Sequence, residues 1–291
     1  MSWSAGINQW AIPGVTVREA ARLAARAGFE ALEPNIDEEG EVSLSTDERS
    51  ARALRAAVEE EGMHIGGLSS NLYWRFPPTS DDPAVRDRAR EIATRQLELA
   101  AGLGAGAVLI VPGLVGQARG GPVVRYDVAY ERAREFIASL APVAEQVGVD
   151  IGVENVWNKL LLSPTEMREF VDGIGSPRVG VYFDVGNILL YGYPEHWIEI
   201  LGARIRRVHL KDFRRSTGTP GEFCEIGSGD VDWEAVGQAL GSVGYDGPLT
   251  AEVMPTEAER ADMPGYVSRI HGHVAGVLER MRVAAGGERV G

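Results

Sequence analysis

The stretch VGVYFDVGNILLYGYPEHWIEILGARIRRVHLKDF, residues 179–213, contains two short β-rich runs separated by a helical pattern. The first run covers 179–185, the helical pattern covers 194–201, and the second run covers 205–211. Two such runs joined by a helix are expected to pair in parallel, with the helix as a right-handed crossover. This stretch therefore predicts one strand–helix–strand unit of a parallel α/β sheet.

The same alternation runs from one end of the chain to the other. Strands are predicted at 5–11, 29–35, 64–70, 107–112, 150–156, 179–185, 205–211 and 248–254. Helices are predicted at 15–27, 46–61, 83–103, 126–147, 164–174, 194–201, 233–243 and 257–281. Thr46 is the expected N-cap of the second helix. A glycine in left-handed conformation is expected to end five of the helices, at Gly28, Gly62, Gly104, Gly148 and Gly244.

Eight strand–helix units predict an α/β fold of the (β/α)8, or TIM barrel, class, whose typical size is about 250 residues. The chain has 291 residues and no break in composition, so a single domain is expected over 1–291, with a frayed tail from about 283. An open doubly wound sheet is the alternative. It is disfavoured because no G-x-G-x-x-G turn follows the first strand.

The bulk composition, 44% hydrophobic and 24% charged, is typical of a soluble globular protein. A net charge of −13 opposes binding to phosphate backbones, so no nucleic acid is expected as a partner. Cys224 is the single cysteine, which excludes an intramolecular disulfide and a cysteine-built zinc site and fits a reducing, cytoplasmic setting. Neither a signal-peptide pattern nor a membrane-spanning run of about 18 apolar residues is found.

Acidic and imidazole side chains stand at the ends of four predicted strands: Glu154, Asp184, His209 and Glu252. In a barrel these strand ends meet at one mouth, where active sites are found. Buried carboxylates need a partner, and a divalent cation at the point where these side chains converge would satisfy all of them. Oxygen-rich ligation with one nitrogen favours Mn²⁺, with Mg²⁺ or Co²⁺ as alternatives. Taken alone, His209 is more often a core histidine and Asp184 a helix cap, but the four together indicate a metal site.

Four motifs carry a resemblance to a known superfamily: ENVWNK at 154–159, YFDVGN at 182–187, HLKD at 209–212 and GYDGPLTAE at 244–252. Together they resemble the xylose-isomerase-like TIM-barrel superfamily of sugar phosphate isomerases and epimerases. Within it, the chain is most similar to the L-ribulose-5-phosphate 3-epimerase and hexulose-6-phosphate isomerase group. The similarity is densest from about residue 149 to 255.

The resemblance implies that Glu154, Asp184, His209 and Glu252 ligate a metal and that Glu154 and Glu252 are also the catalytic acid and base. The metal stabilises a cis-enediolate formed next to a ketose carbonyl. One carboxylate removes a proton and the other delivers one to the opposite face, which epimerises the carbon. One-sided transfer between neighbouring carbons would isomerise instead. The implied reaction is 3-epimerisation of a ketopentose phosphate.

The resemblance also implies substrate contacts. Free-ketose 3-epimerases of the superfamily carry a histidine where this chain has Asn187, which shifts the expectation towards sugar phosphates. Arg215 matches the substrate-contacting arginine of the superfamily, although the neighbouring Arg214 can serve equally. The predicted substrate-binding residues are Asn187, Arg215, Lys159, Lys211 and Trp157.

Loops at the mouth offer further candidates. The backbone N–H groups of Gly227 and Gly229 can bind an anion, or the loop can be an ordinary connection to a helix capped by Asp232. Lys211 can pair with Asp212 or with Glu252 instead of substrate. Segments 71–82 and 113–125 follow the third and fourth strands, and three aromatic residues of the first segment either close over a sugar or pack against another subunit: Tyr73, Trp74 and Phe76.

Other functions remain open at this point. A lyase or dehydratase acting on an inositol-like or oxidised sugar would use the same proton removal. A phosphodiester-cleaving relative would need more histidines and a basic face. A non-catalytic sugar-binding protein would be indicated by loss of Glu154 or Glu252, and both are present. The expected partner is a small-molecule sugar or sugar phosphate, and a homo-oligomer, dimer or tetramer, is possible because relatives often form one.

Overall fold

Residues 3–116, 122–215 and 223–286 are described by a computed structural model. In these ranges the strands are β1 (Ala5–Asn8), β2 (Ala31–Glu33), β3 (His64–Ile65), β4 (Ala107–Ile110), β5 (Asp150–Glu154), β6 (Val179–Asp184), β7 (Ile205–Leu210), β8 (Asp212–Phe213), β9 (Phe223–Cys224) and β10 (Leu249–Ala251). The helices are α1 (Val17–Ala27), α2 (Glu48–Glu59), α3 (Leu72–Arg75), α4 (Pro83–Leu103), α5 (Tyr126–Val147), α6 (Pro164–Ile174), α7 (Val185–Ile188), α8 (Pro194–Leu201), α9 (Trp233–Ser242) and α10 (Met263–Gly286).

Eight strands form one sheet in the order β3-β2-β1-β10-β7-β6-β5-β4. The first and last strands of that order meet where Leu68, just after β3, pairs in parallel with Val108 of β4. The N–H of Leu68 donates to the carbonyl of Ala107 at 3.1 Å, and the N–H of Leu109 donates to the carbonyl of Leu68 at 2.9 Å. The sheet therefore closes on itself, and the predicted (β/α)8 barrel is confirmed.

Helix ends follow the predicted signals closely. The five glycines expected to end helices all have positive φ angles, which range from 69° to 107°. Asp232 caps α9 by accepting a hydrogen bond from the N–H of Ala235 at 3.0 Å. At α2 the predicted cap is wrong by one residue. Asp47, not Thr46, is the N-cap and accepts from the N–H of Ser50 at 2.7 Å.

Several strands are shorter than predicted at their C-terminal ends. β1 stops at Asn8 and β3 covers only His64–Ile65, because the residues that follow leave the ladder to build the mouth of the barrel. The last helix begins at Met263 rather than 257, since a 3-10 turn at Glu259–Asp262 precedes it. That helix continues to Gly286, past the point at about 283 where fraying was expected, and residues 287–291 lie outside the described ranges. None of the described helices combines the length and apolarity needed to cross a bilayer.

Candidate functional site

Four adjacent strands of the barrel carry the four predicted ligands to its mouth. Glu154 ends β5, Asp184 ends β6, His209 lies in β7, and Glu252 directly follows β10. The ladder between β6 and β7 places Asp184 opposite His209. One ligand atom from each of the four residues lies within 4.8 Å of the others. The structure therefore brings together all four side chains that the strand-end pattern singled out.

The donor atoms of this cluster fit a divalent cation. Glu154, Asp184 and His209 are buried, and the side chain of Glu252 is 15% exposed. Asp184 Oδ2, His209 Nδ1 and Glu252 Oε2 are buried and make no hydrogen bond of good geometry, although His209 Nδ1 lies only 2.8 Å from Glu252 Oε2. Buried polar atoms normally have partners. Apart from the ammonium of Lys211 near two of these atoms, one cation among three carboxylates and an imidazole would supply a partner for all of them, and this donor set suits Mn²⁺, Mg²⁺ or Co²⁺.

Lys211 lies inside the acidic cluster. Its Nζ is 3.0 Å from Asp184 Oδ2 and 2.7 Å from Glu252 Oε2. Burial disfavours the ammonium, but the surrounding carboxylates outweigh it and raise the pKa of Lys211 above its ordinary value. The predicted pairing of Lys211 with Glu252 is therefore present, and that with Asp212 is not among the ion pairs of the described residues.

The two carboxylates assigned to proton transfer differ in proton affinity. Burial raises the pKa of Glu154 to about 8, and the nearby carboxylate of Glu252 adds to the shift. Burial acts in the same direction on Glu252, but Lys211 and His209 together lower its pKa below the ordinary value. Two carboxyl groups in one site with separated pKa values can act as an acid and a base.

Glu33, at the end of β2, is a buried residue of the site that the sequence analysis missed. Its Oε1 lies 2.9 Å from His209 Nε2 and accepts from Asn8 Nδ2 at 2.7 Å, while its Oε2 accepts from the hydroxyl of Tyr182. Burial disfavours its ionisation, but His209 and the hydrogen bonds that Glu33 accepts prevail, and the pKa of Glu33 is lowered. Glu33 ends an apolar β-rich run, as Glu154 does, so the strand-end signal was present in the sequence.

Two asparagines and a tryptophan brace the loops beside the cluster. Asn155 donates to the carbonyl of Asp184 at 2.7 Å and accepts from its N–H at 2.9 Å. Asn187, a predicted substrate contact, is buried and donates from its side chain to the carbonyl of Asn155 at 3.0 Å. The indole N–H of Trp157 donates to the carbonyl of Asn187 at 2.9 Å, and its ring packs against Phe213. The side-chain amide of Asn187 is thus held by the protein itself.

The remaining predicted cations lie at the rim. The guanidinium of Arg215 lies 5.1 Å from the centre of the Tyr193 ring, and Lys159 is exposed with a φ angle of 61°. Among the described residues neither forms an ion pair with the four candidate ligands.

The loop 227–233 does not offer its N–H groups to an external anion, as one alternative predicted. The N–H groups of Gly227 and Gly229 donate to the carboxylate of Asp212 at 2.9 and 3.0 Å. The N–H of Val231 and the indole of Trp233 also donate to this carboxylate, each at 3.2 Å. The anion that this turn binds is therefore the carboxylate of Asp212, a side chain of the protein itself.

The interpretation of Tyr73 as part of a lid is wrong. Tyr73 is fully buried, packs edge-on against Phe136, and donates from its hydroxyl to Gln96 Oε1 at 2.6 Å. A buried aromatic residue of this kind cannot swing over a ligand. Phe76 is half-buried and lies under the guanidinium of Arg75, 5.0 Å from its ring centre.

A cavity of about 510 Å³ lies next to the cluster and is lined by Lys211 and Glu252 together with Phe223, Tyr266 and Arg269. This volume is in the range of small-molecule sites, which is about 300–1,000 Å³. The ligand cluster and an adjoining cavity together form a site for a small polar molecule.

Comparison with known proteins agrees with this architecture. The family model described as xylose isomerase-like TIM barrel matches residues 21–267. The putative L-ribulose-5-phosphate 3-epimerase SgbU of Escherichia coli K12 is 32% identical over 251 residues, which cover 81% of this chain and 83% of the relative. The L-ribulose-5-phosphate 3-epimerase UlaE of Salmonella paratyphi A is 28% identical over 275 residues, which cover 87% of this chain and 88% of the relative.

Solved structures show the same fold at lower sequence identity. An L-ribulose 3-epimerase superposes with a TM-score of 0.77 at 18% identity and covers 99% of both chains. D-psicose 3-epimerase from Clostridium cellulolyticum H10 also superposes with a TM-score of 0.77 at 18% identity, over 96% of this chain and 99% of its own. From its sequence motifs, its closed barrel and these matches, the chain belongs to the xylose isomerase-like TIM barrel family.

Proposed function

We propose that this isomerase is a metal-dependent 3-epimerase of a ketopentose phosphate, with L-ribulose 5-phosphate as the first candidate substrate. The observation that carries the proposal is the pair of carboxylates, Glu154 and Glu252, with one oxygen of each within 4.8 Å of the other and of the remaining candidate ligands. The sequence relatives support the substrate, since they are named as L-ribulose-5-phosphate 3-epimerases.

The four clustered residues, Glu154, Asp184, His209 and Glu252, would hold the cation, for which we propose Mn²⁺, with Mg²⁺ or Co²⁺ as alternatives. When bound there, a divalent cation would supply positive charge that stabilises the negative charge developing on the sugar oxygens next to the reacting carbon. The protein keeps the cluster buried at the mouth of the barrel, where charges interact more strongly than they do in water.

The two carboxylates divide the proton transfer between them. Glu252, held ionised by Lys211, whose Nζ lies 2.7 Å from its Oε2, takes the proton from C3 of the sugar as the general base. Glu154, which faces Glu252 within the cluster, delivers a proton to the opposite face of C3. Inversion needs two groups because a single group that returns its own proton to the same face restores the original configuration. In the reverse direction the two residues exchange roles.

The substrate contacts follow the same proposal. Lys211, between Asp184 and Glu252, would contact a sugar oxygen next to the reacting carbon. Trp157, whose ring centre lies 5.3 Å from that of the cavity-lining Phe223, would contact the sugar beside this cavity. The carbonyl of Asn187 fixes its indole N–H. We assign the phosphate to the cations at the rim, Arg215 and Lys159. A dianion needs positive charge, and both of these residues are exposed to solvent.

The test is solvent exchange followed by NMR. Chelator-stripped protein is supplied with Mn²⁺ in deuterated buffer, and the metal is removed again before spectra are recorded. L-ribulose 5-phosphate, L-xylulose 5-phosphate, L-ribulose and D-psicose are compared. We expect deuterium at C3 and formation of the C3 epimer, faster for the pentulose phosphates than for the free sugars. Chelation should abolish both.

Glu154→Gln and Glu252→Gln should each lower the rate by at least about a thousandfold, because each removes one partner of the proton transfer. Glu145→Gln is the matched control, since Glu145 lies on the outer helix α5 and accepts a hydrogen bond from Ser176. Exchange at C1 with formation of an aldose would overturn 3-epimerisation in favour of aldose–ketose isomerisation. Loss of water from an inositol-like or oxidised sugar, without exchange into any ketose, would overturn it in favour of a lyase.

A further inference from the structure

We propose that Glu33 is a positioning residue of the metal centre, which holds the imidazole of His209 so that Nδ1 faces the other three candidate ligands. The inference rests on the proposed metal-dependent function, and it adds a residue from a strand that carries none of the four ligands. Glu33 ends β2, on the far side of β1 and β10 from β7, and its side chain reaches across the barrel to His209.

The two ring nitrogens of His209 have different surroundings. Nε2 lies 2.9 Å from Glu33 Oε1, at hydrogen-bond distance. Nδ1 lies 2.8 Å from Glu252 Oε2 and makes no hydrogen bond of good geometry. A neutral imidazole carries one proton and one free lone pair. In the metal-loaded protein, a proton on Nε2 that is donated to Glu33 leaves the lone pair on Nδ1, the nitrogen beside Glu252.

Glu33 itself is fixed from several sides. Asn8 Nδ2 donates to Oε1 at 2.7 Å, and the hydroxyl of Tyr182 donates to Oε2. Asn8 is held in turn by Ser69, whose Oγ lies 2.9 Å from Nδ2. Glu33, Asn8, Tyr182 and Ser69 are all fully buried. The carboxylate therefore cannot turn towards the cluster as a further ligand, and it acts on the centre through His209.

A carboxylate behind a ligating histidine fixes the tautomer and ring orientation and makes the ligand more basic, and its loss typically weakens metal binding about 10–100-fold. In this protein the ring of His209 has no other hydrogen-bond partner for Nε2 among the described residues. The orientation of one of four ligands thus depends on a single buried carboxylate.

The first measurement needs no variant. In ¹⁵N NMR spectra of the intact protein loaded with Mg²⁺, which is diamagnetic, we expect a protonated Nε2 and an unprotonated Nδ1 at His209. A protonated Nδ1 in the metal-loaded protein would overturn the proposal. Absence of any bound metal would instead refute the metal-dependent function on which it rests.

The second measurement is the dissociation constant for Mn²⁺, taken by titration calorimetry without substrate. Glu33→Gln should raise it at least about tenfold. Glu33→Asp keeps the charge but shortens the side chain by one methylene, so it should also weaken binding. Tyr73→Phe, which removes a buried hydroxyl that bonds to Gln96 away from the cluster, is the control and should bind metal as the unmodified protein does. Circular dichroism establishes that each variant is folded.

If the unmodified protein binds Mn²⁺ and folded Glu33→Gln binds it within twofold of the same constant, Glu33 does not position His209 and the inference is wrong. If Tyr73→Phe weakens binding as much as Glu33→Gln, the loss follows general destabilisation and the inference is equally wrong. Neither result would affect the proposed epimerisation, whose failure is detected separately by the absence of exchange at C3.

Discussion

Lys211 shows how a single residue balances the charge of the site. Its ammonium lies 3.0 Å from Asp184 Oδ2 and 2.7 Å from Glu252 Oε2, so it offsets the repulsion between buried carboxylates. Lys211→Met should therefore lower the melting temperature of the metal-free protein. It should also tighten Mn²⁺ binding by about tenfold, because a bound cation no longer faces a like charge a few ångströms away. Thermal scans with and without Mn²⁺ check both effects.

For this prediction Lys159→Met is the control, because Lys159 is exposed and forms no ion pair among the described residues. That variant should change neither quantity. Unchanged stability of metal-free Lys211→Met would contradict the charge-balancing role.

The raised pKa of Glu154 predicts that metal binding depends on pH. Its pKa rises from an ordinary value of 4.5 to about 8, mainly through burial. The folded metal-free protein therefore binds a proton there more tightly than the unfolded chain does. The resulting stability is complete below pH 4.5 and is lost as the pH rises towards 8. A metal must displace this proton, so Mn²⁺ affinity should rise by up to about tenfold per pH unit between pH 6 and 8 and then level off.

Calorimetric titrations at pH 6, 7 and 8, in buffers of different ionisation enthalpy, give both the affinity and the number of protons released. Glu154→Gln, which cannot ionise, should bind more weakly and with a flatter pH profile. Affinity that stays constant from pH 6 to 8 in the unmodified protein would show that Glu154 is already ionised.

For single residues, the sequence was sufficient to predict the four clustered side chains, because each stands at or near the end of a β-rich run. Glu33 has the same signal, yet its role could not be recognised, because nothing local indicates that its side chain reaches across the barrel to His209. The sequence correctly predicted that the N–H groups of Gly227 and Gly229 can bind an anion. It could not show that the anion is the carboxylate of Asp212, because only the tertiary structure brings these residues together.

Among the elements, the turn that leads into α9 depends on one buried carboxylate. Asp212 accepts four hydrogen bonds from this segment: from the N–H groups of Gly227, Gly229 and Val231 and from the indole of Trp233. Asp212→Asn puts an NH₂ group either at Oδ2, which accepts from Gly227, Gly229 and Trp233, or at Oδ1, which accepts from Val231. We expect a loss of about 2–4 kcal/mol in the free energy of unfolding, since hydrogen bonds to a charged group are lost and donors are left unpaired.

Urea denaturation gives the free energy, and hydrogen exchange should show faster exchange confined to 225–233. Asp246→Asn, in an exposed loop, is the control and should leave both unchanged. Protected amides in 225–233 of the Asp212 variant would contradict the role given to this carboxylate.

Helices were easier to predict from sequence than strands. α4, α5, α6 and α8 have the predicted bounds, because caps, prolines and terminal glycines are local signals. The strands end earlier than predicted because the apolar pattern continues into residues that leave the ladder. The antiparallel pairing of β8 with β9 was not predicted, since each of these strands is only two residues long.

On the scale of the whole molecule, the order of eight strands follows from the alternation of strands and helices, since parallel strands joined by right-handed crossovers have few other arrangements. What the sequence could not give is how the sheet closes. β3 is only two residues long, and the seam between it and β4 is made by Leu68, which lies outside any regular strand. The hydrophobic pattern carries no information on a single bridge of this kind.

The seam is held by a buried glutamine on a helix. Gln96 of α4 donates from Nε2 to the carbonyls of Leu68 at 2.8 Å and Leu109 at 3.1 Å, and its Oε1 accepts from the hydroxyl of Tyr73. Gln96→Leu keeps the approximate volume but leaves this hydroxyl and the carbonyl of Leu109 without that partner. We expect the free energy of unfolding to fall by about 2–4 kcal/mol in urea denaturation, in a single cooperative transition because the barrel unfolds as one unit.

The double variant Gln96→Leu with Tyr73→Phe shows how much of the lost stability comes from the unpaired hydroxyl of Tyr73 and how much from the hydrogen bonds lost at the seam. Because Tyr73→Phe removes the hydroxyl that Gln96→Leu orphans, the double variant should be no less stable than Gln96→Leu alone, and the two changes should be non-additive. The seam lies between β3 and β4, whereas the four candidate ligands lie in β5, β6 and β7 and directly after β10, so the Mn²⁺ affinity of folded Gln96→Leu should be unchanged. Additive losses would mean that Tyr73 and Gln96 act independently, and weakened metal binding would mean that closure of the barrel at this seam helps to hold the cluster in place.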